Sequence, residues 1–524
     1  MVTDAPAGHV RRIARSGGLN VVGAGAAAVA GFALTLVLTN GLAKDAAGTV
    51  FATTALFLIL TSFVQLGTES GMARWLPLKL ATGRSDQVGA VLRAGLVPSV
   101  VVSVLAALCL AVSAPWVAGL LVEGRYVGTV ATQVRILALF LPMAATLNVV
   151  LAATRGLRTV RPTIVVESIG RSFLQLAVVA GVTALGGSAE VVVLAWAGPY
   201  LFALLVAVVW LLVLARRLTR SATPKPTAAV AAGGVTGLNR EFWGYTGPRA
   251  LATVAQTLLK RSDIVLVAAL RSPSEAAVYA AASRFVTLGQ VAVQALQQVL
   301  APQLSAMFAR GERQHAQEVF QVTTTWSIML AWPVYIACAV LAPLVLLLFG
   351  DGYTDGVPVV VLLSAAMLVA VASGSVDTVV LMSGRSWLSL ANTVAALVVN
   401  VGLNLLLIPP YGIVGAAVAW TAAIMVRNVL PLLQIRRSLG MSPFGTASAL
   451  VAGSAFALLA VVPGLLVLLE VGTWWVVLAL AVGSLCYLAV LLRHRRRLHL
   501  DELVRSLRRQ RRGNRGEPPA APTV

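Results

Sequence analysis

Apolar residues fill the chain in runs of about 20, the length a helix needs to cross the hydrocarbon core of a bilayer. Fourteen such runs alternate with short polar stretches, at approximately 18–43, 47–68, 89–112, 133–154, 163–186, 190–215, 243–269, 275–299, 319–349, 357–382, 387–408, 412–435, 446–469 and 473–492. Backbone groups in lipid must be hydrogen-bonded within their own segment, so the pattern predicts an all-α integral membrane protein. The stretch 113–132 reads as an interfacial helix ahead of the fourth span. The first run follows Arg11, Arg12 and Arg15 and mimics a signal peptide. It is too long for that role and a second span follows at once, so it reads as a retained helix.

The loops fix an orientation. When Lys and Arg are assigned to alternate sides of fourteen spans, thirty fall on the side of the N-terminus and four on the other; six lie within spans. Such an excess marks the cytoplasmic face, and it predicts both termini there. The longest internal loop is basic, with Pro224, Pro226, Gly233 and Gly234, and reads as a linker. The expected division is an N-terminal lobe of spans 1–6 (1–222), a cytoplasmic linker (223–239) and a C-terminal lobe of spans 7–12 (240–438). Spans 13–14 (439–492) and a basic cytoplasmic tail (493–524) follow. The tail reads as an anchor on anionic lipid. A faint repeat pairs VLTNGLAKDAAGTVFATTALFLIL (37–60) with VLVAALRSPSEAAVYAAASRFVTL (265–288), placing Phe51 opposite Tyr279. Six spans separate the copies, so the two six-helix lobes are expected to be parallel, as in transporters with rocking halves.

Composition excludes other classes. With 58% hydrophobic and 11% charged residues, a soluble enzyme could not bury its apolar side chains. The net charge of +21 belongs to loops and tail rather than to a nucleic-acid surface, so no nucleic acid is expected as a partner. Cys109, Cys338 and Cys486 each lie in an apolar run and read as buried small hydrophobes. The four His fall in predicted cytoplasmic segments, and no nucleophile–base set, zinc-binding spacing or phosphate loop occurs. The chain is therefore expected to be no enzyme and to need neither metal nor cofactor.

Polar residues within spans carry the functional reading, since an ionisable side chain in hydrocarbon costs about 2.5–3.5 kcal/mol and needs a partner or a wet cavity. In span 7, Arg249, Gln256, Lys260 and Asp263 share one helical stripe, with Lys260 and Asp263 able to pair; Arg261 lies about 120° away. Span 5 carries Glu167, Arg171 and Gln175 at i, i+4, i+8, either a structural bridge or a substrate or proton site. Span 8 carries Arg284, then Gln290, Gln294 and Gln297, a track for sugar hydroxyls or glue between helices. Asn392, Asn400 and Asn404 stripe span 11, Arg427 and Asn428 lie in span 12, and Asp377 is a lone acid in span 10. The intramembrane charge is net positive, which suits an anion; arginine grips phosphate oxygens bidentately.

Four stretches carry a family likeness: QLGTESGMARWLP (65–77), LLKRSDIVLVAAL (258–270), VYAAASRFVTL (278–288) and YGIVGAAVAWTAA (411–423). In order and spacing they resemble the multidrug/oligosaccharidyl-lipid/polysaccharide exporter superfamily, and within it the bacterial polysaccharide (O-antigen-type) flippases, over about residues 10–495. The resemblance implies a lipid-linked oligosaccharide, usually an undecaprenyl diphosphate sugar, carried from the inner to the outer leaflet of a bacterial plasma membrane through a cationic cavity between lobes. Arg74, Lys260, Asp263 and Arg284 lie within these stretches, with Arg249 nearby. The substrate-contacting candidates are Arg249, Gln256, Lys260, Arg284, Gln290, Gln294, Arg171 and Arg74. Glu167, Asp263 and Asp377 are candidates for a coupling ion. Expected partners are an anionic lipid-linked glycan, membrane lipids and glycan-assembly enzymes. A cation-coupled multidrug antiporter of the same fold would need an acidic cavity, a lipid II flippase would look alike, and a membrane-embedded polymerase or ligase would need a large outer loop.

Overall fold

In the computed structural model the described residues are 6–84, 87–221 and 235–498. Among them there are helices and turns and no strand. In order, α1 (Pro6–Gly41), α2 (Lys44–Val64), α3 (Thr68–Ala81), α4 (Val88–Leu121), α5 (Val127–Gly156), α6 (Ser172–Ala184), α7 (Ala189–Ala197) and α8 (Pro199–Ser221) precede the linker. After it come α9 (Val235–Leu270), α10 (Pro273–Ala309), α11 (Arg313–Val340), α12 (Ala342–Leu347), α13 (Val357–Ala372), α14 (Val376–Met382) and α15 (Ser386–Leu439). The chain ends with α16 (Thr446–Ala455), α17 (Val462–Leu468) and α18 (Thr473–Arg493). Most of the predicted linker, from 222 to 234, and the tail beyond 498 lie outside the described residues.

Eleven described helical segments are long and apolar enough to cross a membrane. Predicted spans 7 and 8 fall outside that set; they form the polar-striped α9 and α10, of 36 and 37 residues. Predicted spans 11 and 12 are the two arms of α15, which break at Gly412 (φ 55°, ψ −134°) just after Pro409 and Pro410 and fold back on each other, as the side-chain pairing of Asn392 with Gln434, 42 positions on, requires. Here proline removes ladder hydrogen bonds and glycine accepts the left-handed φ that follows. Gly374 (φ 71°) splits predicted span 10 into α13 and α14. The predicted interfacial helix at 113–132 is not separate: α4 runs unbroken through Pro98 and Pro115 to Leu121, and a single 3₁₀ turn at Gly124–Tyr126 leads into α5. The pattern also hid α3, which starts after Leu66 and Gly67 turn the chain in left-handed backbone.

The sides of α4 and α8 bear exposed Val, Leu and Phe, as lipid-facing surface requires. Cys338 is buried as expected, but Cys109 and Cys486 are exposed on such faces; all three are free. A thiol is apolar enough to face hydrocarbon, so an apolar run alone did not determine which side it took.

The first two helices meet α9 and α10 directly. The two repeat segments thus face one another, with Phe51 and Tyr279 both buried. At the predicted outer end, Gly48 of α2 lies so close to the first turn of α10 that a Cβ there would stand 1.7 Å from the Pro273 carbonyl oxygen. Asn40 Nδ2 donates to the Leu348 carbonyl at 2.9 Å, and Lys44 sits 5.7 Å from the Tyr353 ring centroid. Below them Phe32, Phe285 and Phe349 pack edge to face at 5.6–5.8 Å. At the opposite end Phe242 of α9 is fully buried, and a Cβ at Gly71 of α3 would lie 2.6 Å from its ring. Both ends of the seam between the N-terminal helices and α9–α10 are therefore closed.

Candidate functional site

Between those two ends the interior is polar, and the chain builds it from three clusters. The first stands on a π-helical segment, Thr163–Arg171, that runs on into α6. Gly170 permits the wider turn, because a Cβ there would lie 2.8 Å from the Val165 carbonyl oxygen. Arg171 is held by Glu167 Oε1 at 2.7 Å and Gln175 Oε1 at 3.1 Å, and its guanidinium lies 4.7 Å from the Tyr200 ring of α8. Gln175 Nε2 in turn donates to the Trp196 carbonyl at 2.7 Å. The stripe expected from the i, i+4, i+8 spacing is thus present and ties three helices together. Oε2 of Glu167 is buried with no protein partner.

The second cluster surrounds Asp263, 3% exposed in α9. Its carboxylate accepts from Asn400 Nδ2 at 3.0 Å, Asn404 Nδ2 at 2.7 Å and the Tyr279 hydroxyl at 3.1 Å. Ser262 Oγ donates to Asn400 Oδ1 at 3.2 Å. The i, i+3 pairing of Lys260 with Asp263 is not formed: among the described residues neither makes an ion pair. Burial favours a fixed cage of neutral donors over a lysine that must also reach solvent, and α15 supplies two amides one turn apart. The asparagine stripe is therefore the partner of the acid. Asn404 Oδ1 is itself buried without a protein partner. Asp377 takes a different partner again, the Ser389 hydroxyl, and Asn392 on the first arm of α15 pairs with Gln434 on the second at 2.8–2.9 Å.

The third cluster is cationic. Arg261 and Arg284 are half-buried, and the charge of Arg261 acts on Arg284, on Lys260 and on Tyr200 across the seam. Arg427 of α15 acts on Lys260 from the other side. No ion pair is formed by Arg261, Arg284, Lys260 or Arg427 among the described residues, and the three interior acids are engaged elsewhere. Gathered like charges of this kind attract an anion. Arg249, Lys260 and Gln294 are exposed; Gln256 and Gln290 are half-buried. Arg74 lies apart from this cluster, with its guanidinium 4.1 Å from the Tyr245 ring near the predicted cytoplasmic end.

Arg261 is the residue that helical periodicity set aside. The single-stripe reading gives α9 one interior face, whereas α9 packs against α2, α10 and α15 at once and has several. The signal in the sequence was its cost: a second cation beside Lys260 in a span is uneconomical unless it too faces the interior. Tyr200 carried no such mark.

The sequence and the fold are similar to those of known proteins. Residues 48–358 match the family model described as polysaccharide biosynthesis protein. The probable low-salt glycan biosynthesis flippase Agl15 of Haloferax volcanii is 23% identical over 192 residues, which are 36% of this chain and 41% of that protein. The chain thus spans less than half the length of that relative. Among solved structures, the lipid II flippase MurJ in an inward closed conformation superposes with a TM-score of 0.68 at 11% identity, over 90% of this chain and 97% of that one. A MOP superfamily transporter from Pyrococcus furiosus, noted for a binding pocket of reversed polarity, gives 0.56 at 17% identity over 82% and 95%. An inward-facing multidrug resistance transporter gives 0.57 at 15% identity over 79% and 94%. These likenesses extend the fold over nearly the whole chain. The chain belongs to the polysaccharide biosynthesis protein family, and its fold is that of transporters of the MOP superfamily.

Proposed function

We propose that the protein is a flippase that carries a lipid-linked oligosaccharide with an anionic phosphate headgroup from the inner to the outer leaflet of a bacterial plasma membrane. The observation that carries this reading is the cationic cluster of Arg261, Arg284, Lys260 and Arg427, with its neighbouring carboxylates already committed to other partners. The headgroup phosphates meet those cations, with Gln256, Gln290 and Gln294 toward the sugars. The lipid tail stays in the bilayer. Outward movement of an anion is downhill by about 2.3 kcal/mol per charge per 100 mV when the cell interior is negative.

A coupling ion has three candidate sites: Asp263 in its amide cage, Glu167 with its unpartnered oxygen, and Asp377 beside Ser389. The cage is the most complete, and a cation or proton there would also satisfy the orphaned Asn404 oxygen. Membrane lipids and glycan-assembly enzymes are the further partners in this reading. A lipid II flippase is the second reading, supported by the likeness to MurJ; both readings share the anionic headgroup. An antiporter of cationic drugs is disfavoured by the sign of the interior charge.

The test is leaflet exchange in proteoliposomes. Wild-type protein is expected to move a fluorescent polyprenyl-diphosphate oligosaccharide between leaflets, and Arg261→Gln and Arg284→Gln to abolish that movement while the purified variants remain monodisperse. Unchanged flipping in both variants, or export of a cationic dye without lipid movement, would refute the assignment.

A further inference from the structure

The surface of α8 holds a feature that the interior site does not use. Leu205, Val209, Val213 and Arg217 follow one another at i+4 intervals, so they form a single stripe along the helix. The stripe lines a groove of about 710 Å³ to which Thr159 and Arg161, from the turn after α5, also contribute. Trp210 and Leu214 form part of its wall. The groove is apolar along its length and basic at one end.

Its dimensions are those of one leaflet. From Leu205 to Arg217 the helix rises about 18 Å, slightly more than half of the roughly 30 Å hydrocarbon core. The basic end is the one that charge bias in the loops assigns to the cytoplasm. Leu205 and Val209 are 58% and 61% exposed on the protein surface, which in a bilayer means contact with acyl chains. Two arginines at headgroup depth at the end of an apolar groove complement a phosphodiester on a diacylglycerol. A zwitterionic headgroup brings its own cation into the same place and is disfavoured.

We infer that this groove between the α5–α6 turn and α8 is a binding site for an anionic phospholipid of the inner leaflet, its phosphate on Arg161 and Arg217 and an acyl chain along Leu205, Val209 and Val213. The site lies on the outer face of the N-terminal helices and does not depend on which headgroup the interior carries.

The test uses the full-length protein in nanodiscs of phosphatidylcholine doped with phosphatidylglycerol, with retained lipid read by native mass spectrometry after transfer to detergent. Wild type is expected to keep phosphatidylglycerol and to lose phosphatidylcholine. The pair Arg161→Gln with Arg217→Gln is expected to weaken retention about thirtyfold, from about 1 kcal/mol per arginine near the membrane surface. Val209→Trp, which fills the channel and leaves both arginines in place, is expected to lose the lipid as well and serves if the double variant does not fold. Arg284→Gln, expected to stop transport, is expected to keep the lipid, which separates failure of this site from failure of the transport assignment. Equal retention by wild type and Val209→Trp, or equal retention of the two lipids by wild type, would overturn the inference. So would displacement by soluble glycerol phosphate, which would mark a free-anion site, or preference for a polyprenyl phosphate, which would make the groove a dock for the transported lipid.

Discussion

Replacing Gly48 with alanine isolates the outer closure in a single methyl group. The added Cβ would stand 1.7 Å from the Pro273 carbonyl oxygen and 2.4 Å from its carbon, both backbone atoms that no rotamer change can move. An ordinary carbon–oxygen contact is about 3.3 Å, so α2 and the start of α10 must part by about 1.6 Å. Overpacking of this sort costs about 1–3 kcal/mol. The cost falls only on conformations in which these helices touch, so the ratio of outer-closed to outer-open protein drops by about 5–150-fold. The separation also loosens the Phe32–Phe285–Phe349 cluster and the Asn40–Leu348 hydrogen bond, which span the same seam. Spin labels on Glu123→Cys and Asp351→Cys, both exposed positions on opposite sides of the seam, are expected to show a longer distance gaining population, in a background with Cys109, Cys338 and Cys486 replaced by serine. Gly25→Ala is the control, because nothing lies within 4 Å of its Cβ. A distance distribution for Gly48→Ala identical to wild type would refute the assignment of this contact as a closure.

At the other end Gly71→Ala should shift the same equilibrium in the opposite sense, since its Cβ would strike Thr246 and Phe242; shortening of the outer-end distance, or no change, is read with the same labels. Phe242→Ala should lower the midpoint of thermal unfolding, at about 3–5 kcal/mol for a fully buried ring, and an unchanged midpoint would show that the ring is dispensable to packing. Asp263→Leu leaves the Asn400 and Asn404 amides and the Tyr279 hydroxyl without their acceptor and should destabilise the protein by about 3 kcal/mol or more. Asp263→Asn should preserve the fold but remove any dependence of transport on an ion gradient. Glu275→Gln breaks a part-exposed pair with Arg271 and should cost no more than about 1 kcal/mol, a difference that high salt narrows.

Helix identity was legible in the sequence because lipid imposes a length and a polarity that few other structures meet. Direction along a helix was legible where spacing is local: Glu167, Arg171 and Gln175 meet as their i, i+4, i+8 order implies. What lay out of reach was long-range. Whether Asp263 takes Lys260 or two asparagines about 140 positions away depends on how α15 docks on α9, and periodicity within α9 carries no information about that. Arg261 was set aside for the same reason, through an assumption of one interior face. The break inside predicted span 10, at Gly374, was legible only as punctuation, since glycine permits a turn without requiring one, whereas the break at Gly412 falls at the predicted boundary of spans 11 and 12. Proline was the weaker guide: Pro98 and Pro115 lie within one unbroken helix.

The kink of α15 is pinned from outside. Arg271 donates to the Pro409 carbonyl at 3.2 Å and pairs with Glu275 at 3.0 Å, and Gly412 leaves room for that carboxylate where a Cβ would approach it to 2.6 Å. The turn between the two arms of α15 is thereby tied to the hairpin of α9 and α10. A tilt of α9 is therefore expected to carry the turn of α15 with it, so that movement at the seam is felt where the two arms meet.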